Sequence, residues 1–263
     1  MNRVLTAIGL IVVAVYLVFF SPNLIFTAAA LTMSVLCYLE FAGLVAQYEI
    51  RRPGLFGILQ GIAILLRPQD TLFVTTIIVV ALLALSLRMG DLRQILTSVS
   101  ATIFGSFYTF APWRFAIDLR QISIHLLFFG LATNWIGDTA AYYVGRRWGK
   151  HQLAPIVSPK KSWEGAFASV AASVVFGLIY LGRYMTNFLW WEVVLAAIAA
   201  NVAGQLGDLA ESAIKRGAGV KDSGTMLPGH GGILDRVDSS LFALPTVYGI
   251  YLILSLIHRG AFL

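Results

Sequence analysis

Charge is what this chain has least of: only 12% of its 263 residues are Asp, Glu, Lys or Arg, against roughly 25% in soluble domains. That shortage excludes an ordinary water-exposed domain. Cysteine is almost absent as well. Cys37 is the single thiol and lies in an apolar run, so an internal disulfide framework and a metal site built from cysteine ligands are both excluded. There is no fixed-period repeat, no low-complexity tract and no linker long enough to separate domains. What fills the chain is apolar: 58% of residues are hydrophobic, in long runs that make the bilayer the solvent for most side chains. The net charge of +6 would suggest nucleic acid in a soluble protein. Here it reads as basic loops facing anionic lipid, and no nucleic-acid partner is expected.

Nine apolar segments can be marked, at 4–20, 23–46, 54–67, 71–88, 94–112, 121–145, 164–183, 187–214 and 239–258. The first follows Arg3 and lacks a small-residue cleavage pattern, which makes it a first span and not a signal peptide. The third is short, lies between Pro53 and Pro68, and is a candidate for a re-entrant segment. The fifth carries Gly105 and ends at Pro112, where a bend is expected. The fold class is therefore all-α, a polytopic membrane protein with about nine transmembrane helices, read as a single membrane domain over 1–263. With nine spans and a cytosolic N-terminus, 14 of the 19 Lys and Arg residues fall on the cytosolic side and 5 outside. Removing the third span changes the split to 11 and 8. The positive-inside rule favours nine spans, with the C-terminus outside.

Two blocks, Asp138 to Glu164 and Asp208 to Asp238, hold 16 of the 32 charged residues in 58 positions. Two spans separate them, so both emerge on the same, cytosolic face. In the second block the eighth segment continues as a helix past Asp208. Asp208, Ser212 and Lys215 then fall at i, i+4 and i+7, with Glu211 beside them. Gly217 and Gly219 stop that helix, and Lys221-Asp222 lie in a loop. Pro228-Gly229-His230-Gly231-Gly232 follows, where glycines allow close backbone approach to a ligand and expose N–H donors. Asp235, Arg236 and Asp238 close the block at the start of the last helix. For His230 a loop-stabilising hydrogen bond competes with a catalytic role, and for Glu211 an ion pair with Lys215 competes with metal ligation. In the first block Asp138 lies inside an apolar helix, a site candidate by default or a buried polar contact with Asn134 or another helix. Arg146 and Arg147 read either as topology and lipid contacts or as part of a site. Ser162-Trp163-Glu164 reads as a helix start.

Cations neutralise phosphate oxygens, and carboxylates hold Mg²⁺, which usually bridges protein to substrate phosphates. The mixture suits transfer at a nucleotide phosphate, where charge develops on the transferred group and on the leaving pyrophosphate. A phosphate-monoester nucleophile is already largely ionised near neutrality, so positioning matters more than a general base.

The segment from Ser212 to Asp238 resembles the characteristic motif of the phosphatidate cytidylyltransferases, or CDP-diacylglycerol synthases, of bacterial type. The matching positions are Ser212, Ile214, Lys215-Arg216, Lys221-Asp222, Gly224, Leu227-Pro228, His230-Gly231-Gly232-Ile233, Asp235-Arg236 and Asp238. Gly145, Gly149-Lys150 and Ser158-Pro159-Lys160-Lys161-Ser162-Trp163-Glu164-Gly165 resemble the family's upstream block. The first 120 residues carry little motif information. The resemblance implies a homodimeric, all-helical membrane enzyme of the cytoplasmic membrane. The implied reaction takes CTP and phosphatidic acid to CDP-diacylglycerol and pyrophosphate. Asp208 and Asp235 would be metal ligands for Mg²⁺, as one or two ions, the second open as to type. On that reading Asp208, Lys221, Asp222, His230, Asp235 and Asp238 are catalytic. Lys215, Arg216, Lys221 and Arg236 clamp the triphosphate and phosphatidate oxygens, and Ser158, Lys160, Lys161 and Ser212 complete substrate binding. The residues alone reach metal-assisted phosphate chemistry at a membrane and do not reveal the base.

Three other readings stand beside it. A related CTP-using enzyme could act on an isoprenoid lipid. An ion or phosphate transporter would explain Asp138 and the basic loops but not the dense Gly-His-Gly-Gly run. The CDP-alcohol phosphotransferases also pair aspartates, but their Asp-Gly…Ala-Arg pattern is absent.

Overall fold

The computed structural model describes residues 2–66, 71–87, 91–226 and 231–260. Among them nine α-helices follow in order: α1 (Asn2–Phe19), α2 (Asn23–Gln47), α3 (Leu55–Leu66), α4 (Thr71–Ser86), α5 (Gln94–Ile122), α6 (Ile124–Trp148), α7 (Trp163–Tyr184), α8 (Trp190–Gly217) and α9 (Leu234–Gly260). A two-stranded hairpin, β1 (Gln152–Ala154) and β2 (Ser158–Ser162), joins α6 to α7. The described residues are all-α apart from this hairpin, and α2, α7, α8 and α9 are each long and apolar enough to cross a membrane. The apolar segments marked in the sequence correspond one to one with the helices. At twelve residues α3 is about 18 Å long, short of the roughly 30 Å hydrocarbon layer.

One boundary moves substantially. The fifth segment was expected to end at Pro112, but α5 runs through it to Ile122. Proline interrupts one backbone hydrogen bond, and membrane helices tolerate the loss where neighbours compensate. Arg114 and Arg120 are thus helical, and the Arg114 guanidinium (Nη1) donates to the Leu65 carbonyl, 3.3 Å away, in the last turn of α3. The sixth helix begins later than expected, capped by the Ser123 hydroxyl, which accepts from the His125 N–H.

The chain groups into two compact units that interleave in sequence. The first comprises Met1–Ile117 and Ile214–Val237, and the second Asp118–Ala213 and Asp238–Leu263. In the first unit α2, α3 and α5 supply an aromatic core. Tyr38 packs edge-on against Phe110, and Phe41 against Tyr108, with centroids 6.1 and 6.0 Å apart. By contrast α4 buries only Ser86, and its Leu72 is 82% exposed. A helix apolar all round with so little protein cover fits lipid contact and is untenable in water.

The second unit holds α6 and α8 together by a reciprocal arrangement. Asn134 of α6 fills the space a side chain at Gly204 of α8 would need, and Asn201 of α8, with Ser169 of α7, fills the space at Gly137 of α6. Asn201 Nδ2 donates to Ser169 Oγ at 2.9 Å, and Gln205 Nε2 to Asn201 Oδ1 at 2.7 Å. Close approach at small residues reinforced by side-chain hydrogen bonds is how helices associate where burial from water offers no driving force. A methyl group at Gly204 would overlap the Asn134 amide. Gly204→Ala is therefore expected to destabilise the protein by about 1–3 kcal/mol, read as a lowered unfolding midpoint in detergent. Away from this lock, Glu192 at the start of α8 is 1% exposed and pairs with His258 Nε2 of α9 at 2.8 Å.

Candidate active site

The residues singled out in the sequence fall in both units, and each set has its own geometry. In the second unit they surround a cavity of about 510 Å³ lined by Asp138, Tyr142, Arg146, Lys160, Lys161, Ser162, Gln205 and Asp208, among others. The hairpin delivers the lysines. Its strands pair antiparallel, with Gln152 opposite Ser162 and Ala154 opposite Ser158, and the Trp163 N–H donates to the His151 carbonyl. Ser162 then caps α7 by accepting from the Gly165 N–H at 3.2 Å. His151 Nδ1 and Glu164 Oε1 lie 2.6 Å apart and tie the loop to the first turn of α7. Ser158 opens β2 opposite Ala154 and is outside the cavity lining.

Asp208 and Lys161 form an ion pair of 2.5 Å between Oδ2 and Nζ, each side chain a little over a quarter exposed. Ser212 Oγ donates to Asp208 Oδ1 at 3.3 Å, so the hydroxyl and carboxylate expected one turn apart do meet. Asp138 opens onto the same cavity. Asn134 does not hold it there, since its amide donates to the Gly130 carbonyl. Arg146 also lines the cavity, held by a 3.0 Å hydrogen bond from Nη1 to the Tyr142 hydroxyl. Asp238 accepts from the N–H of Ser239 in the first turns of α9.

In the first unit, the end of α8 is a glycine-terminated cap. Gly219 has φ +71, the Val220 N–H donates to the Lys215 carbonyl, and the Gly219 N–H donates to that of Arg216. This double bond pattern around a left-handed glycine stops a helix cleanly. The Arg216 side chain donates to the Val220 carbonyl at 3.1 Å. Lys221, Asp222 and Arg236 are exposed.

Lys215 and Asp235 form a buried ion pair between Nζ and Oδ1. Asp235 Oδ2 accepts from the Ser223 N–H (2.9 Å), the Ser223 hydroxyl (2.9 Å) and the Gly232 N–H (2.8 Å). The expectation that the glycine run offers its N–H groups to a ligand is thus met differently at Gly232, whose N–H serves the chain's own carboxylate. Lys215 likewise serves the chain's own carboxylate, pairing with Asp235. His230 lies outside the described residues.

One residue of this unit escaped the reading of the sequence. Glu40 of α2 is 4% exposed and accepts hydrogen bonds from Ser223, Ile233 and Leu234. Its signal was a single acid within an otherwise uncharged apolar helix, which a search for dense charge passes over.

Mg²⁺ retains several waters and takes one or two protein carboxylates together with substrate phosphates. Among the described residues no three His, Cys, Asp or Glu side chains converge. The cavity instead offers two carboxylates, Asp138 and Asp208, with cations beside them. That donor set fits an ion that brings its own waters and phosphates. Asp235 has Oδ2 saturated by three donors, while Oδ1 carries only Lys215 among the bonds described above.

Residues 1–254 match the model of the cytidylyltransferase family. The chain is 36% identical over 200 residues to a phosphatidate cytidylyltransferase of Staphylococcus saprophyticus, covering 73% of this chain and 76% of that protein. A protein of the same name from Staphylococcus haemolyticus is 36% identical over 206 residues, with the same shares covered. A third, from Staphylococcus epidermidis, is 41% identical over 138 residues, 52% of this chain and 53% of its own length.

Proposed function

Because this chain belongs to the cytidylyltransferase family, we propose that it carries out the reaction named for its relatives, moving a cytidylyl group from CTP to phosphatidic acid. An oxygen of the lipid phosphate attacks the α-phosphorus of CTP. The bond from that phosphorus to the oxygen bridging to the β-phosphate breaks, and pyrophosphate leaves with the electron pair. CDP-diacylglycerol is the product. The attacking phosphate is already an anion at neutral pH, so the protein's task is to hold two polyanions together and stabilise the leaving group.

The observation that carries this reading is the cavity with Asp138 and Asp208 opposed by Arg146, Lys160 and Lys161. Its volume lies in the range of small-ligand sites, and two of the helices that line it, α7 and α8, are apolar enough to cross a bilayer. In our reading Lys160, Lys161 and Arg146 bind phosphate oxygens, and Ser212 orients Asp208. Lys215, Arg216, Lys221 and Arg236 neutralise triphosphate and lipid phosphate, with Ser158, Asp222, His230 and Asp238 in supporting roles. Bound Mg²⁺, one or two ions, would screen the phosphates and stabilise charge on the leaving pyrophosphate. Asp208 is the ligand we assign first, with Asp138 beside it and Asp235 as the notable further carboxylate. We also propose a homodimer in the cytoplasmic membrane, with the charged blocks on the cytosolic face as the distribution of Lys and Arg favours.

Purified protein given each of the four nucleoside triphosphates, with phosphatidate and an isoprenoid lipid phosphate in competition, tests the reading. Pyrophosphate release is expected with CTP and phosphatidate. Preference for the isoprenoid lipid would reassign the acceptor. Uptake of phosphate or ions into sealed vesicles, without any CDP-lipid, would replace an enzyme by a transporter.

A further inference from the structure

Glu40 is the only charged residue of α2, and one loop engages its carboxylate. The Ile233 N–H donates to Oε1 at 3.0 Å and the Leu234 N–H to Oε2 at 2.8 Å, while the Ser223 hydroxyl lies 3.1 Å from Oε2 and shares its one proton between that oxygen and Asp235 Oδ2. Leu234 is the first residue of α9. Its amide is one of the orphan donors at a helix N-terminus, which are usually satisfied by a side chain just upstream. Here the acceptor comes from a helix nearly 200 residues away in the sequence.

The same carboxylate bears on two glycines of the motif. A Cβ at Gly224 would lie 2.5 Å from Glu40 Oε1, and one at Gly232 would lie 2.0 Å from Ser223 Oγ and 2.5 Å from Glu40 Oε2. Gly224 gives way to Glu40 itself, and Gly232 to Glu40 together with the serine bound to it. Ser223 then links Glu40 to Asp235, its hydroxyl 2.9 Å from Asp235 Oδ2 and its N–H donating to that same oxygen.

We propose that Glu40 is a positioning residue for cytidylyl transfer: from within α2 it fixes Ser223, Gly224 and the start of α9, and through them Asp222 and Asp235. It acts through these groups and not by touching substrate. The inference rests on the reading of the chain as a phosphatidate cytidylyltransferase.

The test is Glu40→Gln in the full-length protein, with Gly224→Ala as a second variant that pushes the loop off Glu40 while leaving α2 intact. A misplacement of about 1 Å in an aligned site can cost about 100-fold. Expected for both variants is a kcat per folded protein reduced about 10- to 100-fold, with the KM for phosphatidate within about twofold of wild type. Hydrogen exchange at the Ile233 and Leu234 amides should speed up, which needs no turnover. A Glu40→Gln kcat per folded protein within about twofold of wild type would overturn the proposal. So would activity lost only in proportion to folded protein in both variants. Absence of CDP-lipid from the wild-type protein would overturn the functional reading instead, while amide exchange would still report on the role of Glu40 in the loop.

Discussion

Replacing Asp208 by asparagine is expected to lower CDP-lipid formation by about 10²–10³-fold, the effect of removing one preorganised charge-stabilising group from an active site. The side chain keeps its shape, and Ser212 can still donate to the remaining carbonyl oxygen. What is lost is the negative charge that holds Lys161 at 2.5 Å and that would hold a divalent cation. Lys161 is then free to collapse onto a phosphate or swing away, and either result misplaces a charge in the cavity. Because the pair is partly exposed, folding should change little. The check is the initial rate of CDP-lipid formation from CTP and phosphatidate by purified protein, alongside its unfolding midpoint. A near-normal rate in Asp208→Asn and Asp235→Asn alike would sink the metal assignment.

Lys215→Met, unlike Asp208→Asn, should cost stability as well as activity. Lys215 and Asp235 are each under a tenth exposed at the side chain, and methionine leaves the carboxylate buried with only neutral donors. Breaking a buried ion pair from one side typically costs about 3–5 kcal/mol. The lower end is expected here, since Ser223 and Gly232 still donate to Asp235. The measurement is thermal unfolding in detergent, and an unmoved midpoint would show that the pair contributes nothing. Removing both partners, as Lys215→Met with Asp235→Leu, should recover part of the stability but none of the activity.

The helices were legible because a bilayer imposes one rule, apolar length, that composition reveals directly. The rule misled at α5. Pro112, Arg114, Asp118 and Arg120 resemble a loop, yet the helix continues through them, and Arg114 reaches the Leu65 carbonyl of a neighbouring helix. Dense charge made Lys160, Lys161 and Asp208 visible, and they do line one cavity. Their partner Asp138 was visible only as an isolated intramembrane acid. Glu40 was harder still. Its meaning lies in three donors that sit more than 180 positions away, and no local pattern encodes such a meeting. The glycines of the motif showed the same limit: their presence was plain, but the carboxylates they accommodate belong to the chain itself.

The lock between α6 and α8 has a bearing on how this sequence can drift. Asn134 with Gly204, and Asn201 and Ser169 with Gly137, are interdependent shapes. A larger residue in either notch is tolerable only if the opposing asparagine shrinks in the same lineage. Asp138 follows Gly137 directly, and Asp208 lies about one turn beyond Gly204. A change in either notch would therefore shift the backbone that carries a carboxylate of the cavity. Descendants of this chain should alter α6 and α8 in matched pairs, or not at all.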